Sequence, residues 1–274
     1  MLTFLFAMTQ VPIESVVYHS AHNHFSVWLA ARTWFDLAAE LKQDRTGRND
    51  LAGNTVGLLF HKPSLRTRVS FEVGVSELGG HPMYVTDAEI KMGQRESTYD
   101  IGKVLSRYVD GIMIRTFDHA EVEGMAEHAT VPVINGLTDL LHPCQLMADL
   151  QTVQEEFGPE LEGMSVAYLG DGNNMANSWL NAAAVFGLDL RLAVPEGFDP
   201  DQTILDRSGI RVHDLIGGHD EPGFLGLIGF LQASHLGRGE YLLGVLELTG
   251  RIDDMVPRYG DLHVVVPKLQ IELS

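Results

Sequence analysis

With 274 residues the chain is long enough for two compact domains with ample core, and its 45% apolar and 20% charged composition is that of a soluble globular protein. Nineteen basic residues against 37 acidic ones give a formal charge of −18, so no global basic field exists to attract nucleic acid. No apolar run approaches the roughly 18 residues of a membrane helix, and the single cysteine, Cys144, excludes an internal disulfide and suits a reducing cytoplasm.

Met1 to Met8 is apolar but lacks a basic start and a long hydrophobic stretch. It reads as a short arm, or as an upstream start before Met8, rather than a signal peptide. From Ser26 to Lys42 the spacing of Trp28, Leu29, Trp34, Leu37, Ala38 and Leu41 predicts an amphipathic helix. Strand and helix then alternate. Strands are expected at 56–60, 82–85, 111–115 and 131–135, each followed by a helix, at 66–78, 97–108, 120–129 and 145–157. The first of these helices is expected to turn Val69, Val73, Ser76 and Leu78 to the core. Phe157-Gly158-Pro159 breaks the pattern, and a second unit follows with a strand at 165–169, a helix at 174–186 and a strand at 188–194. Alternation of this kind predicts α/β architecture, two doubly wound parallel-sheet domains at 1–157 and 158–274, with sites beyond the strand C-termini. From about Leu215 neither helical nor strand periodicity persists, and nine of the 28 glycines fall between Gly217 and Gly250. The second domain is therefore expected to be incomplete and atypical there.

Three polar stations lie at strand ends: His61 to Arg68, Arg115-Thr116, and His142-Pro143-Cys144-Gln145. At the first, a strand-to-helix turn points free N–H groups at an anion. Ser64 and Thr67 add hydroxyl donors there, and Arg66 and Arg68 add guanidinium forks. With Lys62, Lys91 and Arg95 they form a local basic concentration on an acidic chain, which suits a small anionic ligand. Blander uses exist for each station. The first is also a basic helix cap, Arg115 has Asp110 and Asp118 nearby in sequence, and His142 before Pro143 is a common turn pair. Asn173-Asn174 commonly caps a helix. Cys144 is read as a buried hydrophobe and not a nucleophile. Gly170-Asp171-Gly172-Asn173-Asn174 opens like a dinucleotide fold but lacks G-x-G-x-x-G. His19, His22 and His24 form no metal pattern.

Taken together, five segments in order resemble the carbamoyltransferase family, its ornithine branch most closely, over about Trp34 to Val212. They are Phe60-x-x-x-Ser64-x-Arg66-Thr67-Arg68, Met92-Gly93-Gln94-Arg95-Glu96-Ser97, Met113-Ile114-Arg115-Thr116, His142-Pro143-Cys144-Gln145-x-x-Ala148-Asp149, and Gly170 to Asn174. The resemblance implies transfer of a carbamoyl group from carbamoyl phosphate to the δ-amine of L-ornithine, without metal or organic cofactor. It implies carbamoyl phosphate binding by Ser64, Leu65 (through its N–H), Arg66, Thr67, Lys91, Arg115, His142 and Gln145. Arg66, His142 and Gln145 are implied to act at the reacting centre, and Asn174 to bind ornithine. A cytoplasmic homotrimer is expected, with Lys91 reaching the phosphate of a neighbouring copy. The family's D-x-x-x-S-M-G and H-C-L-P segments are not recognisable, and His263-Val264-Val265-Val266-Pro267 is only an echo of the latter. A frameshifted or truncated gene yielding a defective relative, or an enzyme for putrescine or acetylornithine, is the alternative expectation.

Overall fold

A computed structural model describes residues 24–44, 47–194, 197–210, 212–214 and 262–265. The expectations made for the segment beyond Leu215 lie outside the described residues, apart from 262–265. Contacts divide the chain into two compact units between Glu156 and Phe157.

In the first unit, helix α1 (His24–Gln43) precedes β1 (Thr55–Phe60), α2 (Leu65–Glu77), β2 (His81–Thr86) and a short α3 (Asp87–Ile90). Then come α4 (Thr98–Leu105), β3 (Gly111–Arg115), α5 (His119–His128), β4 (Val133–Leu137) and α6 (Pro143–Phe157). The four strands form one parallel sheet in the order β2-β1-β3-β4. The chain moves outward from β1 to β2, then crosses to the other side of β1. The switch point, where open parallel sheets bind ligands, thus falls between the C-terminal ends of β1 and β3. Leu58, Leu59, Ile112, Met113 and Ile114 are almost fully buried on these central strands, because both faces are covered. Each such side chain contributes about 1.5–3 kcal/mol. Met92, Ile101, Val122 and Met125 join Leu59, Ile112 and Ile114 in a single core cluster.

The second unit comprises β5 (Ser165–Leu169), α7 (Asn174–Phe186), β6 (Asp189–Val194), α8 (Gln202–Ser208), β7 (Val212–Asp214) and β8 (Leu262–Val265). Its parallel sheet has the order β7-β6-β5-β8, so its switch point lies between β5 and β8. The His263 segment, noted only as an echo, is thus a strand beside β5.

Three expectations need correction. Helix α2 buries Thr67, Phe71, Gly74 and Val75, whereas Val69 and Val73 are 48% and 43% exposed. Only Leu78 of the expected set is buried along with them. Phe71 and Val75 decide the phase, since a large ring together with one valine buries more apolar area than two valines. Helix α4 stops at Leu105, three residues early, because Arg107 and Tyr108 donate to the carbonyls three residues back, while the Ser106 hydroxyl bonds Gly102. Strand β4 lies two residues later than expected, where a register shift between Ile114 and Arg115 brings Leu137 opposite Arg115. Gly136 allows it: a Cβ there would sit 2.4 Å from Met113 Sδ. The short α3, which was not among the expected helices, opens on a capping box, Thr86-x-x-Glu89, whose Glu89 accepts from the Thr86 N–H at 2.7 Å.

Candidate active site

The ends of β1 and β3 are tied together by backbone. The Arg115 carbonyl accepts from both His61 N–H (3.0 Å) and Lys62 N–H (3.1 Å), which bends the chain off β1 towards α2. Ser64 then caps α2, its Oγ accepting from the Thr67 N–H at 3.3 Å. The Ser64 hydroxyl donates to Thr67 Oγ1 (3.1 Å), and Arg115 Nη1 donates to the same oxygen (3.3 Å). Ser64, Thr67 and Arg115 therefore form one polar chain across the switch point. Leu65 begins α2, where a first-turn N–H has no intrahelical acceptor, and the residue is 78% exposed.

Arg115 is 5% exposed, and its Nε is buried without a hydrogen-bond partner. Burial first, then the nearby positive charge of Arg66, lowers the Arg115 guanidinium from its usual value. Neither guanidinium forms an ion pair among the described residues. Asp110 accepts instead from the Thr55 N–H, and Asp118 caps α5. The pairing of Arg115 with either carboxylate is thereby answered in the negative. A buried cation with one neutral partner and a second cation beside it is costly unless an anion accompanies it. The residues fit a phosphate group, whose oxygens match guanidinium forks and hydroxyl donors.

The rest of the basic concentration disperses. Arg68, grouped with Arg66 on sequence, stacks on Tyr84 at 3.7 Å and pairs with Glu72 at 3.1 Å. Lys62 pairs with Asp139 at 2.7 Å and lies over Phe117. Lys91 is exposed and is the one non-glycine residue with positive φ (49°) among those described. It closes α3, and its carbonyl accepts from Gln94 and Arg95 in a tight loop.

The third station is pinned to the second. Thr116 N–H donates to Leu137 O and Asp139 N–H to Phe117 O, while Thr138 and Leu141 close a turn on each other. His142 follows, accepting from Leu146 N–H through its carbonyl, with Pro143 at the first helical position. Burial, aided by the Arg115 charge, lowers the His142 imidazole to about 3, so it is neutral at physiological pH. Cys144 is fully buried, its thiol donates to Asn135 O at 3.3 Å, and burial raises it to about 12, the reverse of a nucleophile. Gln145 donates from Nε2 to Asp149 Oδ1 at 2.8 Å. Two groups had no assigned role on sequence. Asp149 stood in the segment that begins at His142 but without a role of its own. His61 Nδ1 lies 3.0 Å from Thr116 Oγ1 and 3.2 Å from Glu121 Oε2, a contact that spans 60 residues and that no local pattern announces.

In the second unit, β5 leads through Gly170 to Asn174 into α7. Asn173 is the cap, its Oδ1 accepting from Met175 and Ala176 N–H groups. Tyr168 OH donates to Asp171 O, and Asn173 Nδ2 to Asp171 Oδ1. Gly172 packs on the 198–200 backbone, where a Cβ would lie 2.2 Å from Pro200 N. Asn174 is the first residue of α7 and is half-buried. Among the described residues no group of three or more His, Cys, Asp or Glu is placed to hold a metal, and no helix is long and apolar enough to cross a membrane.

Two domain families match this chain. Residues 29–155 match the aspartate/ornithine carbamoyltransferase carbamoyl-P binding domain, and residues 162–214 match the Asp/Orn binding domain of the same family. The ornithine carbamoyltransferase of Syntrophotalea carbinolica is 51% identical over 177 residues, 64% of this chain and 58% of that protein. That of Geobacter sulfurreducens is 48% identical over 191 residues, 69% and 63% respectively. Among solved structures, the ornithine carbamoyltransferase of Thermus thermophilus is similar with a TM-score of 0.63 and 44% identity, over 68% of this chain and 64% of that one. The Pyrococcus furiosus enzyme gives 0.64 and 36%, over 77% and 65%. The two-unit parallel α/β fold thus has its counterpart in known proteins. The chain belongs to the aspartate/ornithine carbamoyltransferase family. It spans 58% of the length of the first of these relatives.

Proposed function

We propose that the protein transfers the carbamoyl group of carbamoyl phosphate to the δ-amine of L-ornithine, releasing L-citrulline and phosphate. The observation that carries this reading is Arg115, buried within reach of the Arg66 charge, its guanidinium bonded only to the Thr67 hydroxyl among the described residues and paired with no carboxylate among them. The names of the similar proteins favour ornithine as acceptor. In this reading Ser64, Leu65 N–H, Arg66, Thr67 and Arg115 hold the phosphate, and the free N–H groups of α2 face it. The amine must attack in its neutral form. As the carbonyl carbon becomes tetrahedral, charge grows on its oxygen and then on the departing phosphate. His142 is neutral, so it polarises the carbonyl as an N–H donor and adds no positive charge against the nitrogen, which turns positive as its lone pair bonds the carbon and then gives its proton to the departing phosphate. Gln145 addresses the carbamoyl nitrogen, and Arg66 and Arg115 balance the leaving phosphate. Positioning supplies much of the acceleration, since phosphate leaves readily.

The carbamoyl phosphate half then corresponds to residues 1–157 and the amino-acid half to 158–274, with Asn174 binding ornithine. Lys91, exposed on a tight loop and without an ion pair among the described residues, serves the phosphate of a neighbouring copy in a homotrimer. The setting proposed with this activity is arginine biosynthesis in the cytoplasm. The test is citrulline formation by the 274-residue chain with carbamoyl phosphate and L-ornithine, with acetylornithine, putrescine and aspartate in parallel. Turnover with ornithine is expected. Turnover with another amine alone reassigns the acceptor, and none with any amine refutes catalysis by this chain.

A further inference from the structure

Gln145 sits in the first turn of α6, beside the cap residue His142, and Asp149 follows one turn later. The Gln145 Nε2 donates to Asp149 Oδ1 at 2.8 Å in a part-buried setting. An ionised carboxylate only accepts hydrogen bonds. It therefore dictates which end of the amide faces it: the NH2 turns to Asp149, and the amide oxygen turns away. Gln145 Oε1 makes no hydrogen bond among the described residues, and Asp149 has no basic partner among them. Burial raises the Asp149 carboxyl to about 6, against the pull of the Gln145 bond, and it remains mostly ionised at neutral pH. An exposed Gln–Asp pair at this spacing would add only about 0.2–0.5 kcal/mol to the helix. Removing a carboxylate from water for so small a gain makes little sense as helix support alone.

We propose that Asp149 is a positioning residue that locks the Gln145 amide with its oxygen outward, so that the site favours an acyl phosphate bearing N–H donors over one bearing a methyl group. The inference rests on the anion site proposed above. It makes the choice between carbamoyl phosphate and acetyl phosphate depend on a residue that touches neither. Lone pairs on Gln145 Oε1 accept from an N–H but gain nothing from a methyl group. A freely rotating amide would offer its own N–H groups part of the time and lose the distinction.

Binding of carbamoyl phosphate, acetyl phosphate and inorganic phosphate to the full chain, measured by calorimetry at neutral pH, tests this. The unaltered chain should bind carbamoyl phosphate roughly tenfold more tightly than acetyl phosphate, the worth of one hydrogen bond. Asp149→Asn offers both a donor and an acceptor and no longer dictates the amide's orientation. Asp149→Leu keeps the bulk and removes the partner. Both should bring the preference to within about twofold, leaving acetyl phosphate and inorganic phosphate affinities unchanged. In a Gln145→Ala background Asp149→Asn should have no further effect on the preference. Persistence of the preference in both Asp149 variants overturns the proposal, as does equal weakening of all three ligands, which marks a purely structural role. If the unaltered chain binds inorganic phosphate but does not discriminate, the positioning role fails while the anion site stands. If no phosphate binds, both fall.

Discussion

The strand ends of the two units carry similar kinds of residues and use them in opposite ways. Beyond β5, polar groups satisfy one another: Asn173 caps α7, Asp171 accepts from Tyr168 and Asn173, and Gly172 packs on the 198–200 backbone. Beyond β1 and β3, Ser64 and Thr67 are also engaged, but Arg115 and Arg66 bring positive charge that no carboxylate in the described structure balances. Hydrogen-bonding capacity left over at a switch point identifies a ligand site better than polar residues as such. The Asn173 turn holds its shape without a ligand. The Arg115 cluster has electrostatic reason to take one.

The sharpest way to break this contrast is Arg115→Met. It should cut inorganic phosphate affinity by about 100-fold, because a charge-assisted bond in a low-dielectric site is lost. Yet the ligand-free chain should unfold at the same or higher denaturant concentration, since the buried cation is uncompensated. A large loss of ligand-free stability would instead make Arg115 structural. The reciprocal substitution in the second unit is Gly172→Ala. It should cost about 1–3 kcal/mol in denaturant unfolding of that unit, because backbone must move to admit the methyl group. Phosphate affinity in the first unit should stay put.

The smallest effect is in pH. His142 is lowered from 6.5 to about 3, so the unfolded chain binds the extra proton first. The stability of the neutral imidazole is complete above 6.5 and is lost as pH falls towards 3, by up to about 1.4 kcal/mol per unit. Asp149 is raised from 3.8 to about 6, so its contribution has the opposite sign: full below 3.8 and lost as pH rises through 6. Between about pH 4 and 6 the two slopes oppose each other, and the net change should be slight. His142→Asn should leave stability falling with rising pH across that window, and Asp149→Asn should leave it rising. Denaturant midpoints for the three chains check the signs.

Local chemistry made much of this protein legible. A run such as Val56 to Phe60, followed by Ser64 and a helix, specifies strand, turn and cap through interactions among near neighbours. Hence Ser64, Arg66 and Thr67 could be read as an anion-binding turn from their own spacing, whereas Arg115, a separate strand end in the sequence, was joined to them only by the family resemblance. Only the tertiary structure decided which cations serve that site. Arg66 and Arg68 are alike in sequence, but helical rotation carries Arg68 to Tyr84 and Glu72 and leaves Arg66 beside Arg115. The buried face of α2 was likewise set by the packing of Phe71 and Val75 together. The neutrality of His142 and the elevation of Asp149 belong to the same category. A pKa responds to burial and to charges brought near by folding, and neither can be read along a chain.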